Sequence, residues 1–258
     1  MKYCLFQLYA PLVSWGEIAV GGERKSSLQP SKSSVIGIIA AALGIRRGDE
    51  EKQAQLANSL GFGVRLDNPG TLLNDFHTIQ VPKAEKNVSY FTRKEELEAS
   101  DEKIGTILSR REYRNDAFAV ICVWQKTETF ALETIVNALK KPVYHLYCGR
   151  KSCPPALPLN PMVVKSNTLR EAFQSFSVEL PIPVSDDAKG WVKNSHREYT
   201  KYVFKNENIR FYWEPCDHHG FDKYLHKTVR YDSPLSRKRW QFTRRDEYMA
   251  MIQAKEVE

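Results

Sequence analysis

Along residues 2–9 the chain alternates so that Cys4, Phe6 and Leu8 share one side of an extended segment, the pattern of a strand. Ala10-Pro11 is expected to stop it. A long connection marked by Trp15-Gly16 and Gly21-Gly22 follows. Residues 35–43 then contain no polar side chain, which predicts a helix buried on all sides. Pro30, Ser31, Ser33 and Ser34 precede it as N-terminal capping residues, and Gly44 supplies the left-handed residue that ends helices. A polar segment, 46–58, is expected to be partly helical. Strand character returns over 60–66 and closes at an Asn68-Pro69-Gly70 turn. Residues 118–124 are apolar on both faces, so this strand should be central and covered. Leu132, Ile135, Val136 and Leu139 fall at helical spacing, and Lys140-Lys141-Pro142 ends that helix. Residues 143–147 read as a last strand.

The resulting order is strand, helix, strand, strand, helix, strand: an α+β chain with a ferredoxin-like (RRM-like) βαββαβ domain. Residues 67–117 lie between its second and third strands and are too many for an ordinary loop. Since those strands should be antiparallel neighbours, the insertion is expected to project as a long β-hairpin thumb. Its legs are 71–81 and 104–114, and the acidic run 95–102 is its tip or a solvated helix. Four prolines exclude regular structure from 148–161. The first domain is therefore placed at 1–160. Residues 161–258 form a smaller β-rich region, with strand-like runs at 201–205 and 209–213.

Composition narrows the class. With 258 residues the chain can bury a full core, and its five cysteines make an odd count without a secretory leader, so the cytoplasm is the expected compartment. No run of eighteen apolar residues is present to cross a membrane. The net charge is +7 and the isoelectric point about 9.1. Residues 189–245 hold fourteen Lys and Arg against six Asp and Glu, whereas 67–117 hold eight against ten. A basic excess so placed suits nucleic acid, or a solvated lysine-rich surface.

Four polar groupings are candidates for chemistry. The helix start with Lys32, Ser33 and Ser34 offers N–H groups, a positive dipole end and a cation, which together suit phosphate; a serine cap without ligand is the simpler reading. Gly149-Arg150-Lys151-Ser152 combines close backbone approach with three kinds of phosphate ligand, or is an exposed turn. Arg110, Arg111 and Tyr113, at the base of the thumb, interleave cations with a stacking ring, or form a charged edge strand. Residues 237–245 repeat that pattern around Trp240. Cys148 and Cys153, with Cys216, His218 and His219, match no zinc module, so no metal is expected. No P-loop, dinucleotide fingerprint or nucleophile elbow is present, and no cofactor is expected. His77 and His145 could act as general acid or base in RNA cleavage by 2′-hydroxyl attack, or be structural histidines.

Several landmarks occur in order: a first strand ending in Ala10-Pro11, Ser14-Trp15-Gly16, the 30–45 helix segment, and Asp75-Phe76-His77-Thr78. Arg111-Glu112-Tyr113, Asp116-Ala117-Phe118, Lys141-Pro142-Val143-Tyr144 and the Gly149–Pro154 loop complete the series. In these the sequence resembles the CRISPR-associated RAMP superfamily over roughly residues 1–160, and within it the CasD-type subunits of type I-E Cascade surveillance complexes. The resemblance implies a noncatalytic subunit that holds the 5′ handle of the CRISPR RNA and caps one end of the complex. It implies a thumb folding over the RNA, and as neighbours an adjacent backbone subunit and the large subunit. Carried across, Lys32, Ser33, Ser34, Arg110, Arg111, Tyr113, Arg150, Lys151 and Ser152 are the expected handle contacts. Residues 237–245 would meet RNA, target DNA or a partner protein. The alternative is a metal-independent repeat-RNA endonuclease resembling the type I-C branch.

Overall fold

A computed structural model describes residues 1–19, 21–82, 88–98, 104–177, 208–222 and 226–253. The fold is α+β, with a mostly antiparallel sheet. Its first strand, β1 (Lys2–Val13), runs past Pro11. Pairing with β5 (Gly105–Gln125) lapses there and resumes at Leu12↔Asn115, with Asp116 at a φ of 56° opposite the gap. Proline thus lies at an irregularity of the ladder, where a missing N–H is tolerated.

A two-residue β2 (Glu23–Arg24) runs parallel to β5. Helix α1 (Lys32–Ala42) begins at Ser31, whose Oγ accepts from the Ser34 N–H at 3.2 Å. It ends before Gly44, which has a φ of 75°. Helix α2 (Glu50–Ser59) is followed by β3 (Leu60–Asn68) and β4 (Thr71–Val81). Strand β4 pairs with residues 105–115 of β5 in unbroken register, so the insertion is a two-stranded arm. A short helix α3 (Arg93–Glu98) overlaps the start of the acidic run 95–102, whose remainder lies outside the described residues. The outer leg of the arm and the central core strand are one continuous 21-residue β5.

Alternation along these strands makes two cores. Phe6, Leu8, Phe62 and Ile121 face α1, α2 and α4 (Leu132–Lys140), while Tyr3, Leu5, Phe118 and Val120 face the opposite side with α5 (Leu169–Gln174). The 118–124 strand is therefore covered on both faces, as its uninterrupted apolar sequence requires.

The expected strand at 143–147 is not one. Its N–H groups serve another purpose: Val143 N–H donates to the Ala42 carbonyl and Tyr144 N–H to that of Ala41, both at 3.1 Å. They bond carbonyls of the last turn of α1, where the intrahelical ladder runs out. The edge of β1 is instead taken by β6 (Met162–Lys165), beyond the proline-rich loop. The sheet continues on its other side through β7 (Asn208–Trp213), β9 (Gln241–Gln253) and β8 (His226–Ser236). The full path is β6-β1-β5-β3-β7-β9-β8, with β2 and β4 joining β5. The strand expected at 209–213 is β7; the run at 201–205 lies outside the described residues. Among the described residues no helix is long and apolar enough to cross a membrane.

Candidate nucleic-acid interface

A cleft of about 620 Å³ opens where four segments meet. The first turn of α1 contributes Ser33 and Ser34, and the connection after β1 contributes Arg24 and Lys25. The loop after α4 brings Tyr147, Gly149 and Arg150, and the β8–β9 hairpin brings Tyr231, Arg237, Trp240 and Phe242. Sequence positions more than two hundred apart thus share one concave surface.

Each wall has its own anchorage. Gly149 has a φ of 91°, and a Cβ there would lie 1.7 Å from the Ser14 carbonyl oxygen, so the loop passes β1 as only glycine can. Ser14 N–H donates to the Cys148 carbonyl at 3.1 Å, and Cys148 N–H to that of Cys153 at 2.7 Å. Both cysteine side chains are buried in the core. Burial pushes the Cys148 thiol up to about 12, and that of Cys153 upward as well. They are packing residues that hold the loop from beneath.

From this loop Arg150 lies over the Tyr113 ring, 4.5 Å from its centroid, and its Nη2 donates to the Arg24 carbonyl at 3.4 Å. Its Nη1 is buried without a hydrogen-bond partner in the described structure. Tyr113, at the arm base, is therefore a platform for Arg150. Tyr113 as a whole is 9% exposed and carries Arg150 over its ring, so it does not itself offer an open face to a base.

The helix start is organised differently from the expectation. Lys32 points away from the cleft: its Nζ lies 2.7 Å from Glu214 Oε1, and both side chains are 4% exposed. Burial lowers its pKa, which the Glu214 carboxylate partly offsets. The Lys32 N–H donates to Asp232 Oδ2 at 2.9 Å, so the anion at the positive end of α1 is the chain's own carboxylate. Lys32 is thus corrected from a phosphate ligand to a buried structural cation. Ser33 and Ser34 remain on the cleft wall, their hydroxyls within 3.1 and 2.8 Å of Ser31 Oγ.

Strand alternation divides the arm-base residues. Arg110 and Arg111 project from opposite faces of β5, with Tyr113 on the face of Arg111. Arg110 is exposed, with Nη1 3.4 Å from Glu23 Oε1 and its guanidinium 5.8 Å from the Phe76 ring centroid. Arg111 is exposed opposite Asp75. Lys151 and Ser152 are exposed on the outer turn of their loop and do not line the cleft.

The basic run 237–245 also separates. Arg237 donates to the Ser33 carbonyl, tying the β8–β9 turn to α1. Arg245 is buried, bonding both Asp232 oxygens at 2.6 and 2.9 Å and Glu247 at 2.6 Å. Arg24, Lys25, Tyr147 and Tyr231 were not among the expected contacts. Only the Arg24-Lys25 pair beside Gly21-Gly22 carried a signal in sequence, since the rest reach the cleft through tertiary packing. His77 pairs with Asp75 at 3.3 Å on the arm, His145 is exposed in the 143–147 segment, and neither lines the cleft. Among the described residues no cluster of His, Cys, Asp or Glu is arranged to hold a metal.

A family model described as "CRISPR-associated protein (Cas_Cas5)" matches residues 3–248. The CRISPR system Cascade subunit CasD of Escherichia coli K12 is 30% identical over 172 residues, which are 61% of this chain and 69% of that protein. A chain from a solved CRISPR RNA-guided surveillance complex is 27% identical, with a TM-score of 0.63 over 98% of this chain and 92% of that one. The crystal structure of a Cas protein, 23% identical, superposes with a TM-score of 0.57 over 98% and 96% of the two chains and shares the fold.

Proposed function

The chain belongs to the CRISPR-associated Cas5 family, and from that premise we propose that it is a noncatalytic RNA-binding subunit of a Cascade surveillance complex. It holds the 5′ handle of the CRISPR RNA and caps one end of the assembly. The observation that carries this reading is the convergence of Arg24, Lys25, Arg150 and Arg237 with Ser33 and Ser34 on one cleft beside the arm. Cations and hydroxyls suit phosphate oxygens, and the aromatic rings between them suit unpaired bases. Arg150 Nη1, buried without a partner, favours an incoming acceptor.

Arg110 and Arg111 extend the path along the arm, which folds over the RNA where handle meets guide. Lys151 and Ser152 extend it past the loop. We also assign β1, β3, β5 and β6, with α1 and α4, to a ferredoxin-like unit; the order β6-β1-β5-β3, antiparallel at every step, supports this. The adjacent backbone subunit and the large subunit are the protein neighbours, and the compartment is the cytoplasm. Guide–target pairing supplies target specificity, while this subunit reads handle shape and backbone.

The test is affinity capture of the tagged chain from cells that carry its CRISPR array. Repeat-derived small RNA and larger complex subunits should co-elute; recovery of neither overturns the reading. Incubation with repeat RNA in EDTA should leave the RNA intact, and cleavage lost in His77→Ala or His145→Ala would overturn the noncatalytic assignment.

A further inference from the structure

We propose that the cleft takes one unpaired RNA base stacked on Trp240, which makes the β8–β9 turn the base-contacting part of the site; this rests on the RNA-binding reading above. Trp240 has a φ of 58°. For so bulky a side chain this is an outlier that persists only where its surroundings hold it. Glycine or asparagine would sit there relaxed.

The strain does not bury the ring. Trp240 is 57% exposed, at the mouth of the cleft. It is nevertheless held: the Arg47 guanidinium lies 4.3 Å from its centroid and that of Arg237 6.0 Å, and Phe242 meets it edge-on at 5.7 Å. Arg237 is in turn fixed to the Ser33 carbonyl, so the indole's position is referred to the start of α1. An exposed indole, oriented at a conformational cost and flanked by cations, is arranged for a planar partner whose charge lies at its edge. An unpaired base with its phosphate fits that description, because every base offers a π face. Tyr231 and Tyr147, 57% and 39% exposed on the same walls, bound the space a base would enter. The volume of about 620 Å³ falls within the range of small-ligand sites.

The probe is single-stranded RNA copying the repeat-derived 5′ handle from the host's own array, with an abasic residue placed at one position at a time. It is titrated against the full chain, Trp240→Gly and Trp240→Phe, with Kd measured across salt concentrations. Trp240→Gly relieves the positive φ and so keeps the fold, which thermal melting checks. It should bind the intact RNA about tenfold or more weakly with an unchanged salt slope, since a stacking contact but no phosphate contact is lost. Trp240→Phe should recover most of the affinity. One abasic position should cost the parent as much as Trp240→Gly does, and cost that variant nothing. Equal binding by Trp240→Gly, or an abasic penalty that persists in it at every position, overturns stacking. A reduced salt slope in Trp240→Gly does so too, since the ring would then only arrange its neighbouring arginines. If the parent fails to bind the handle RNA at all, the function proposed above falls and this falls with it. If the parent binds and Trp240→Gly matches it, stacking alone falls.

Discussion

Asp232 accepts from the Lys32 N–H at 2.9 Å and from two nitrogens of Arg245, so one carboxylate caps a helix and neutralises a buried guanidinium. Burial raises its pKa, but the Arg245 charge and hydrogen bonds outweigh that and hold it below the usual 3.8. A carboxylate depressed in the folded state contributes stability that is complete above its unfolded value and lost as pH falls through the folded one. Asp232→Asn should therefore lower stability at neutral pH by about 3 kcal/mol, because it breaks a buried pair. The gap between parent and variant in urea denaturation should close below about pH 4. A gap that stays constant on acidification would refute the linkage. Ser31→Ala removes the hydroxyl cap of α1, with its contacts to the Ser33 and Ser34 hydroxyls, and should cost about 1 kcal/mol in the same measurement. At this scale the sequence showed a serine-capped helix start whose positive end suits an anion, with a cap without ligand as the simpler reading. It did not show that the anion is Asp232, two hundred positions away, because sequence spacing says nothing about which distant carboxylate the fold returns.

The arm is an element held by its own ladder and by its root. Its outer part exposes Phe76, Ile79, Ile107 and Leu108, while nearer the core Glu112 accepts from the Ser26 N–H at 2.9 Å and Tyr113 supports Arg150. Replacing residues 77–109 with Asn-Gly between the paired Phe76 and Arg110 keeps the root and supplies a two-residue hairpin turn. The melting midpoint should move by less than about 4 °C, that is by about 1 kcal/mol at most, while handle-RNA affinity falls. A collapse of the midpoint would mean that the arm stabilises the core. Elements with long periodic patterns were readable: the apolar helix, the amphipathic helix α4, the central strand and both legs of the arm. Residues 143–147 were not, although they carry Val143 and Tyr144, because the C-terminal end of α1 claims the N–H groups of those two residues. The four residues of β6 form a strand because the edge of β1 is there to pair with them.

The whole molecule brings its cations together from the β1–α1 connection, the loop after α4 and the C-terminal hairpin. Phosphate contacts release counterions, so each one lost should flatten the dependence of log K on log salt by about 0.7 for a single strand. Arg24→Ala combined with Arg150→Ala should lower that slope by about 1.4 while leaving secondary structure unchanged. A slope equal to the parent's would remove both residues from the phosphate path. The sequence by itself determined the α+β class, the inserted hairpin, the buried helix with its serine cap and the basic balance of the C-terminal region. These follow from residue periodicity and local backbone chemistry, which act over a few neighbouring positions. Only the tertiary structure decided that Lys32 is buried against Glu214, that Tyr113 becomes a platform for Arg150, and that Arg24, Arg237 and Trp240 share a cleft with Arg150. Those outcomes depend on which surfaces the sheet order places side by side, and a side chain's partner is set by that placement rather than by its neighbours in the chain.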